Sequence, residues 1–249
     1  MKPMDKEASP AQVARLIGRS RRIVAFTGAG ISVESGIPDF RSADGLWARF
    51  DPREYAYIEA FIRHPAKVWR MLKDMDELMA QARPNAAHLA LAELEARGKL
   101  VGVITQNVDN LHQAAGSRRV VEYHGNASRF VCLACRRPQP REGLDFAQAP
   151  LFCACGGLIK PDVVFFGEQI PSGAQEEAEE LAQHCDLMLV IGTSGEVAPA
   201  SYLPGIAKEG GALIVENNLA PTRLTLKVTD HFLRGPAGRV WPEIIRLCA

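Results

Sequence analysis

A parallel α/β sheet with helices on both faces is the fold class that this 249-residue sequence predicts, and two observations carry it. Short runs rich in Val, Ile and Leu alternate with segments of helical period, and each run ends in glycine or polar residues. In chain order, the helical PAQVARLIGRS (10–20) precedes the first run, RRIVAFTGAG (21–30). NAAHLALAELEARG (85–98) precedes KLVGVITQN (99–107), and GAQEEAEELAQHC (173–185) precedes DLMLVIGTSG (186–195). SYLPGIAKEGG (201–211) precedes GALIVENN (211–218). In such sheets ligands bind beyond the carboxyl ends of the strands. The exits here are Gly28-Ala29-Gly30, Gln106-Asn107, Gly192-Thr193-Ser194 and Asn217-Asn218. Four polar exits on one edge read as a binding crevice, although turns are polar in any protein.

Two regions break the alternation. Residues 42–84 are helical in pattern, with Trp47, Tyr55, Tyr57, Phe61 and Trp69 as apolar anchors. Residues 129–160 hold four of the six cysteines and few aliphatic residues. The expected organisation is a nucleotide-binding, Rossmann-like large domain from 1–41, 85–128 and 161–249, a helical insert at 42–84, and a small cysteine module at 129–160.

Composition narrows the function. Twenty-nine basic residues balance 29 acidic ones, which argues against a general grip on nucleic acid or an anionic membrane. The local group Arg129, Arg136, Arg137 and Arg141 is small and offset by Glu142 and Asp145. No run approaches the roughly 18 apolar residues of a membrane helix. MKPMDKEASPAQ lacks the apolar core of a secretory signal, so a cytoplasmic location is expected. In that compartment thiols stay reduced, and cysteines read as metal ligands, nucleophiles or core residues.

After the first run comes TGAGISVESGIPDFRS. Gly28 and Gly30 allow a tight turn and close approach to a pyrophosphate, and a following helix would offer free N–H groups. The third glycine position of the dinucleotide fingerprint falls on Val33, and no acid follows at the usual distance. Alone, the loop reads either as a nucleotide site or as an ordinary strand-to-helix turn.

Further motifs follow in order: TQNVDNLHQAAG, VEYHGN, the cysteines, KPDVVFFGE and GTSGEVAP. Together with GAGISVESGIPDFRS, this set closely resembles the sirtuins, the NAD-dependent protein-lysine deacylases, from about Ile23 to the C-terminus. The resemblance implies that acyl-lysine and NAD meet between the large domain and a small zinc domain. The acyl oxygen attacks C1′ of the nicotinamide ribose and nicotinamide leaves. A histidine base then lets the 2′-oxygen attack the acyl carbon, giving lysine and O-acyl-ADP-ribose.

Residue by residue, the resemblance makes His124 the base, a role that suits an unperturbed pKa of about 6.5. His64, His88, His112, His184 and His231 are expected to be structural. Gln106, Asn107, Val108 and Asp109 match the ribose and nicotinamide contacts, with Asn107 also placed among the catalytic residues. Gly28, Ala29, Gly30, Val33, Asp39, Phe40 and Arg41 match the cofactor loop, Phe40 shielding C1′ from water. Gly192, Thr193 and Ser194 match phosphate and ribose contacts, and Asn218 an adenosine-side contact, with Asn217 as a competing alignment. Val163, Val164, Phe165, Phe166, Gly167 and Glu168 match the strand on which substrate peptide pairs.

Cys132 and Cys135 form a CxxC, and Cys153 and Cys155 a CxC. Two close thiolate pairs suit a tetrahedral Zn2+, and the resemblance makes that ion structural. The second pair is one residue shorter than the commonest pattern. Cys185 and Cys248 are expected in or near the core. In HPAKVWRMLKDMDEL, the positions that would carry Tyr and Arg in desuccinylating sirtuins fall on Leu72 and Met75. An apolar acyl pocket and weak action on succinyl-lysine are therefore expected, unless Arg70 or Lys73 turns inward. ADP-ribosyl transfer on the same fold, or a zinc-bearing adaptor role, are the other functions compatible with these residues.

Overall fold

The computed structural model describes residues 6–248, so Met1–Asp5 and Ala249 of the expected large domain lie outside it. A capping box opens α1 (Pro10–Arg19): Ser9 Oγ accepts from the Gln12 N–H, and Gln12 Oε1 accepts from the Ser9 N–H. β1 (Ile23–Thr27) follows, then the insert helices α2 (Leu46–Arg49), α3 (Pro52–Tyr55), α4 (Ile58–Arg63) and α5 (Pro65–Gln81). Next come α6 (Ala86–Ala96), β2 (Leu100–Thr105), α7 (Leu111–Ala114), β3 (Val120–Glu122), β4 (Gly125–Cys132), β5 (Pro138–Gln139) and β6 (Ile159–Val163). The chain closes with α8 (Ser172–Gln183), β7 (Leu187–Ile191), α9 (Leu203–Glu209), β8 (Leu213–Asn218), α10 (Arg223–Lys227), β9 (His231–Arg234) and α11 (Ala237–Leu247).

Six parallel strands form the main sheet in the order β3-β2-β1-β7-β8-β9. β1 and β7 are buried at every residue, which explains their unbroken apolar runs. The chain moves outward from β1 through β3, then returns to β7 on the other side of β1. The strand order therefore reverses between β1 and β7, the place where such sheets open a crevice.

Alternate strand residues face opposite layers. Ile23, Ala25, Leu187 and Leu189 pack with α1, α6 and α11 through Ile17, Leu91 and Trp241. Val24, Phe26, Met188 and Val190 pack with α8, α9 and α10 through Leu181, Leu203 and Leu224. Several elements had no counterpart in the sequence reading, the edge strands β3 and β9 and the helix α11 among them. The edge strands β3 and β9 are too short to show a period, and α11 contains Gly238 and Pro242. That helix survives its proline because Trp241, Ile244 and Ile245 bury one face against the first layer.

The regions that looked like two separate insertions share one core. Phe61, Val68, Trp69 and Met71 of the insert pack with Phe130, Leu151, Ile159 and Phe165 around the three-stranded sheet β5-β4-β6. The Trp69 and Phe130 rings stack at 6.5 Å, and Arg141 lies 5.0 Å from the Phe146 ring. Arg141 also donates two hydrogen bonds to the Asp76 carboxylate, at 2.7 and 2.6 Å, a fork that joins the cysteine region to α5.

His88 and His112 are buried as expected, with ring centroids 4.9 Å apart. Burial pushes His88 down to about 4 and His112 well below the ordinary histidine range. Unfolded, both take up protons near pH 6.5. The unfolded chain thus binds more protons between about pH 6.5 and 4, and stability falls as pH drops through that window. Each histidine contributes about 1.4 kcal/mol per pH unit there. Urea midpoints should fall from pH 7 to pH 5, less steeply for His88→Gln; a midpoint independent of pH would contradict the neutral buried pair.

Candidate active site

The exits of β1 and β7 interlock at the switch point. The Gly28 N–H donates to the Ile191 carbonyl at 3.0 Å, and the Gly30 N–H to the Gly192 carbonyl at 2.8 Å. A Cβ on Gly28 would stand 2.8 Å from Thr193 Cβ, and one on Gly30 would stand 2.7 Å from Gly192 Cα. These two glycines are needed by loop-on-loop packing, a reason the sequence reading did not supply. The expected helix after them is also corrected. Ala29–Ile31 and Val33–Ser35 are single 3-10 turns, with Val33 exposed, so no long helix directly follows the glycine loop.

Beneath these turns lies a polar cluster. Ser32 Oγ donates to Asp109 Oδ2 at 2.7 Å, and Asn107 Nδ2 donates to Ser32 Oγ at 3.0 Å and to the Gly28 carbonyl at 3.2 Å. Thr105 Oγ1 accepts the Asn107 N–H, and Gln106 Nε2 donates to Thr193 Oγ1 at 2.9 Å. Burial raises the Asp109 carboxyl, while the Leu111 N–H and the Ser32 hydroxyl stabilise its anion and limit the rise. The side chains expected to touch a cofactor therefore hold one another in place. Ser32 was missed, although it stands in the quoted GAGIS stretch.

His124 follows β3 and faces this cluster. Its Nδ1 lies 3.1 Å from the Gln106 carbonyl oxygen. A carbonyl can only accept, so Nδ1 carries the proton and Nε2 keeps its lone pair. Burial lowers the His124 pKa, partly offset by the Gln106 bond. The loop 106–110 is pinned to β4: the Ala127 N–H donates to the Val108 carbonyl at 3.0 Å, and Asn110 Nδ2 donates to Asn126 Oδ1 at 3.0 Å. The asparagine of HGN is thus a brace for the histidine turn.

The rim carries the other expected residues. Asp39 Oδ1 accepts the N–H groups of Arg41 and Ser42, so this side chain shapes its own loop. Phe40 is exposed and packs on Trp47 at 5.0 Å. Arg41 Nε reaches Glu196 Oε2 at 3.2 Å across the crevice mouth. Ser194 is half-buried beside the buried Thr193. The two asparagines of β8 separate cleanly. Asn217 is buried, donates to the Leu233 and Gly235 carbonyls, and accepts from Trp241 Nε1. Asn218 opens toward the crevice and donates to the Thr193 carbonyl at 2.9 Å.

The segment 163–168 is corrected in part. β6 ends at Val163, and the N–H groups of Val164, Phe165 and Phe166 donate to the His124 carbonyl, Glu168 Oε2 and the Ala56 carbonyl. Phe166 also accepts from the Ile58 N–H, and the Glu168 N–H turns back to the Phe165 carbonyl. The stretch is a turn rather than a free strand edge, and Gly167, at φ 87°, sits at its tip. Leu72 and Met75 are half-buried against the core of Phe61, Trp69 and Phe165, whereas Arg70 and Lys73 are exposed.

The four cysteine Sγ atoms lie within 4.8 Å of one another. Cys132 and Cys155 stand 3.5 Å apart, and Cys135 and Cys153 3.8 Å, against the ~3.8 Å edge that a tetrahedron of Zn–S bonds requires. The Cys135 N–H holds the Cys132 thiol down at about 6. The Gly157 N–H draws on Cys155 too, yet the neighbouring thiols outweigh it and push that group up to about 11. Four thiolates this close repel until a cation joins them. The CxC turn reaches the cluster because Gly157 has no Cβ, which would stand 2.6 Å from Ala134 Cβ. Cys185 is buried and pushed up to about 12, a core thiol as expected. Among the described residues no helix is long and apolar enough to cross a membrane.

The chain matches the Sir2 family over residues 28–199. It is 52% identical over 233 residues to a Pyrobaculum aerophilum protein named NAD-dependent protein deacylase 2, covering 94% of this chain and 93% of that one. It superposes on a Sir2 homologue solved with NAD, with a TM-score of 0.90, 42% identity and coverage of 96% and 94%. It also superposes on a Sir2 protein solved with a deacetylated p53 peptide and 3′-O-acetyl ADP ribose, with a TM-score of 0.91, 35% identity and coverage of 96% and 98%. With the motifs converging on one crevice and the match running through most of the chain, the protein belongs to the Sir2 family.

Proposed function

We propose that the protein is an NAD-dependent protein-lysine deacylase that releases nicotinamide and O-acyl-ADP-ribose. The observation that carries this reading is His124, a neutral base with Nε2 free, beside the Ser32–Asn107–Asp109 cluster at the switch point. Its donor set of amides, hydroxyls and Arg41 suits a ribose and a pyrophosphate. Bound there, NAD supplies an electrophilic ribose carbon with nicotinamide as its leaving group. Gln106, Asn107 and Asp109 orient that ribose, already fixed by their mutual bonds, so little reorganisation is needed. Thr193, Ser194 and Asn218 bind the remainder of the dinucleotide. Phe40 covers the reacting face against water, and His124 Nε2 takes the proton from the ribose hydroxyl.

Substrate is an acyl-lysine protein or peptide, and the neutral charge balance speaks against nucleic acid or membrane as partner. The peptide track runs past the turn 163–168, with backbone pairing centred on Gly167. Cys132, Cys135, Cys153 and Cys155 hold one structural Zn2+, with no coordination position left for chemistry. A cytoplasmic location and the division into large domain, insert and zinc module complete the reading.

Leu72 and Met75 give the acyl pocket an apolar wall, and neither supplies a cation to a carboxylate buried there. Turnover of one peptide carrying acetyl, butyryl or succinyl groups should favour the neutral acyls by about tenfold or more in kcat/KM. A preference for succinyl would overturn the pocket assignment. The function itself is tested by incubating an acetyl-lysine peptide with and without NAD and identifying products by mass. NAD-independent deacetylation, or modified protein in place of O-acetyl-ADP-ribose, would contradict it.

A further inference from the structure

Glu216 lies on β8, one residue before the two asparagines, and is fully buried. It shares a strand face with Ile214 and Asn218, looking toward the α8–α9–α10 layer. Its charge is met by hydroxyl dipoles. Thr222 Oγ1 donates to Oε1 at 2.6 Å, while Thr225 Oγ1 and Thr229 Oγ1 donate to Oε2 at 2.7 and 2.6 Å. The three threonines bracket α10, so one carboxylate fixes that short helix against the end of β8. Such charge-assisted bonds are strong where water is excluded. Lys6 Nζ closes the far side, donating to the Thr225 and Thr229 carbonyls at 2.8 and 2.7 Å.

Asn218 Nδ2 lies 3.5 Å from Glu216 Oε1, and the clamp also reaches the crevice through a side chain of α10. Leu224 of α10 presses under Gly195, where an added Cβ would stand 2.4 Å from Leu224 Cγ. Gly195 has φ 65° and ends the β7 exit loop, whose Thr193 receives Gln106 Nε2 at 2.9 Å. The same loop is held from the strand side by the Asn218 bond to the Thr193 carbonyl.

We infer that Glu216 is a positioning residue for the dinucleotide, acting through the threonine clamp and Leu224 to set the height of the 192–195 loop. This rests on the reading of that loop as a cofactor contact. In many dinucleotide folds a strand-end acid reaches the ribose itself. Here the acid is turned inward and shapes the loop that does the binding.

Glu216→Gln keeps the volume but presents an amide to hydroxyls that now donate to Oε1 and Oε2. The expected result is a rise of about tenfold in KM for NAD, with kcat and KM for the acyl peptide each within about threefold of wild type. The dissociation constant for ADP-ribose, measured by calorimetry, should rise in parallel. Leu224→Ala should reproduce the NAD-selective shift, and the double variant should be less than additive. An NAD KM within twofold of wild type in folded Glu216→Gln, or an equal rise in both KM values, would overturn the inference. Should Glu216→Gln fail to fold, Leu224→Ala decides by the same criterion. Wild-type protein with no NAD-dependent turnover would instead overturn the functional reading beneath it.

Discussion

His124→Ala is expected to lower kcat for NAD-dependent deacylation by about 100- to 10,000-fold, the range a positioned general base supplies. Binding of the dinucleotide should persist, because the cluster of Ser32, Asn107 and Asp109 holds together without the imidazole. The pH profile provides a second readout of the same residue. His124 must be neutral to take a proton, and activity is lost as pH falls through its pKa. Burial lowers that pKa, so the acid limb should have its midpoint below the ordinary histidine value of 6.5. His124→Ala should lose this limb along with its rate. Wild-type activity that declines from above pH 7, or a variant that keeps both rate and limb, would contradict the assignment.

Cys132→Ala is expected to abolish zinc binding and activity together. Metal analysis of the wild type should give one tightly held zinc per chain, and the variant none. Structural zinc contributes about 10–16 kcal/mol in small zinc modules, comparable to the whole stability of an ordinary domain. Cys132 is the most enclosed of the four thiols and ends β4, eight residues after His124. Losing it should loosen β4 and with it the turn that aims the histidine. A zinc-free variant that melts like wild type and still deacylates would rule out a structural metal here.

Much of this was legible in the sequence because the large domain obeys simple periods. Four largely buried strands announce themselves as apolar runs, and their polar exits name the crevice edge. β3 and β9 escaped because strands of three or four residues show no period, and α11 because its glycine and proline contradict the pattern that Trp241 and Ile244 enforce. The site residues were readable by resemblance, but their mutual bonds were not. Nothing local links Ser32 to Asp109, 77 positions later, or Gln106 to Thr193, 87 positions later. The first pair arises because β1 and β2 lie side by side, the second because the exits of β2 and β7 meet over β1. The packing of the CxC turn likewise depends on a neighbour distant in sequence, Ala134, which approaches where Gly157 lacks a side chain. Segment 163–168 was a strand by resemblance, yet Ala56 and Ile58 of the insert claim the Phe166 backbone.

The common core of the insert and the cysteine region has a consequence for how the chain emerges from the ribosome. Trp69, Phe61 and Val68 leave the exit tunnel well before Phe130, Ile159 and Phe165, the residues that bury them. Between the two arrivals the insert helices are made without a partner surface, and an unsatisfied aromatic face is open to whatever reaches it first. Asp76 and its fork partner Arg141 both emerge before Cys153, Cys155 and β6, which complete this core. The core of the small lobe can thus be completed only once residues about 90 positions beyond α5 have been made.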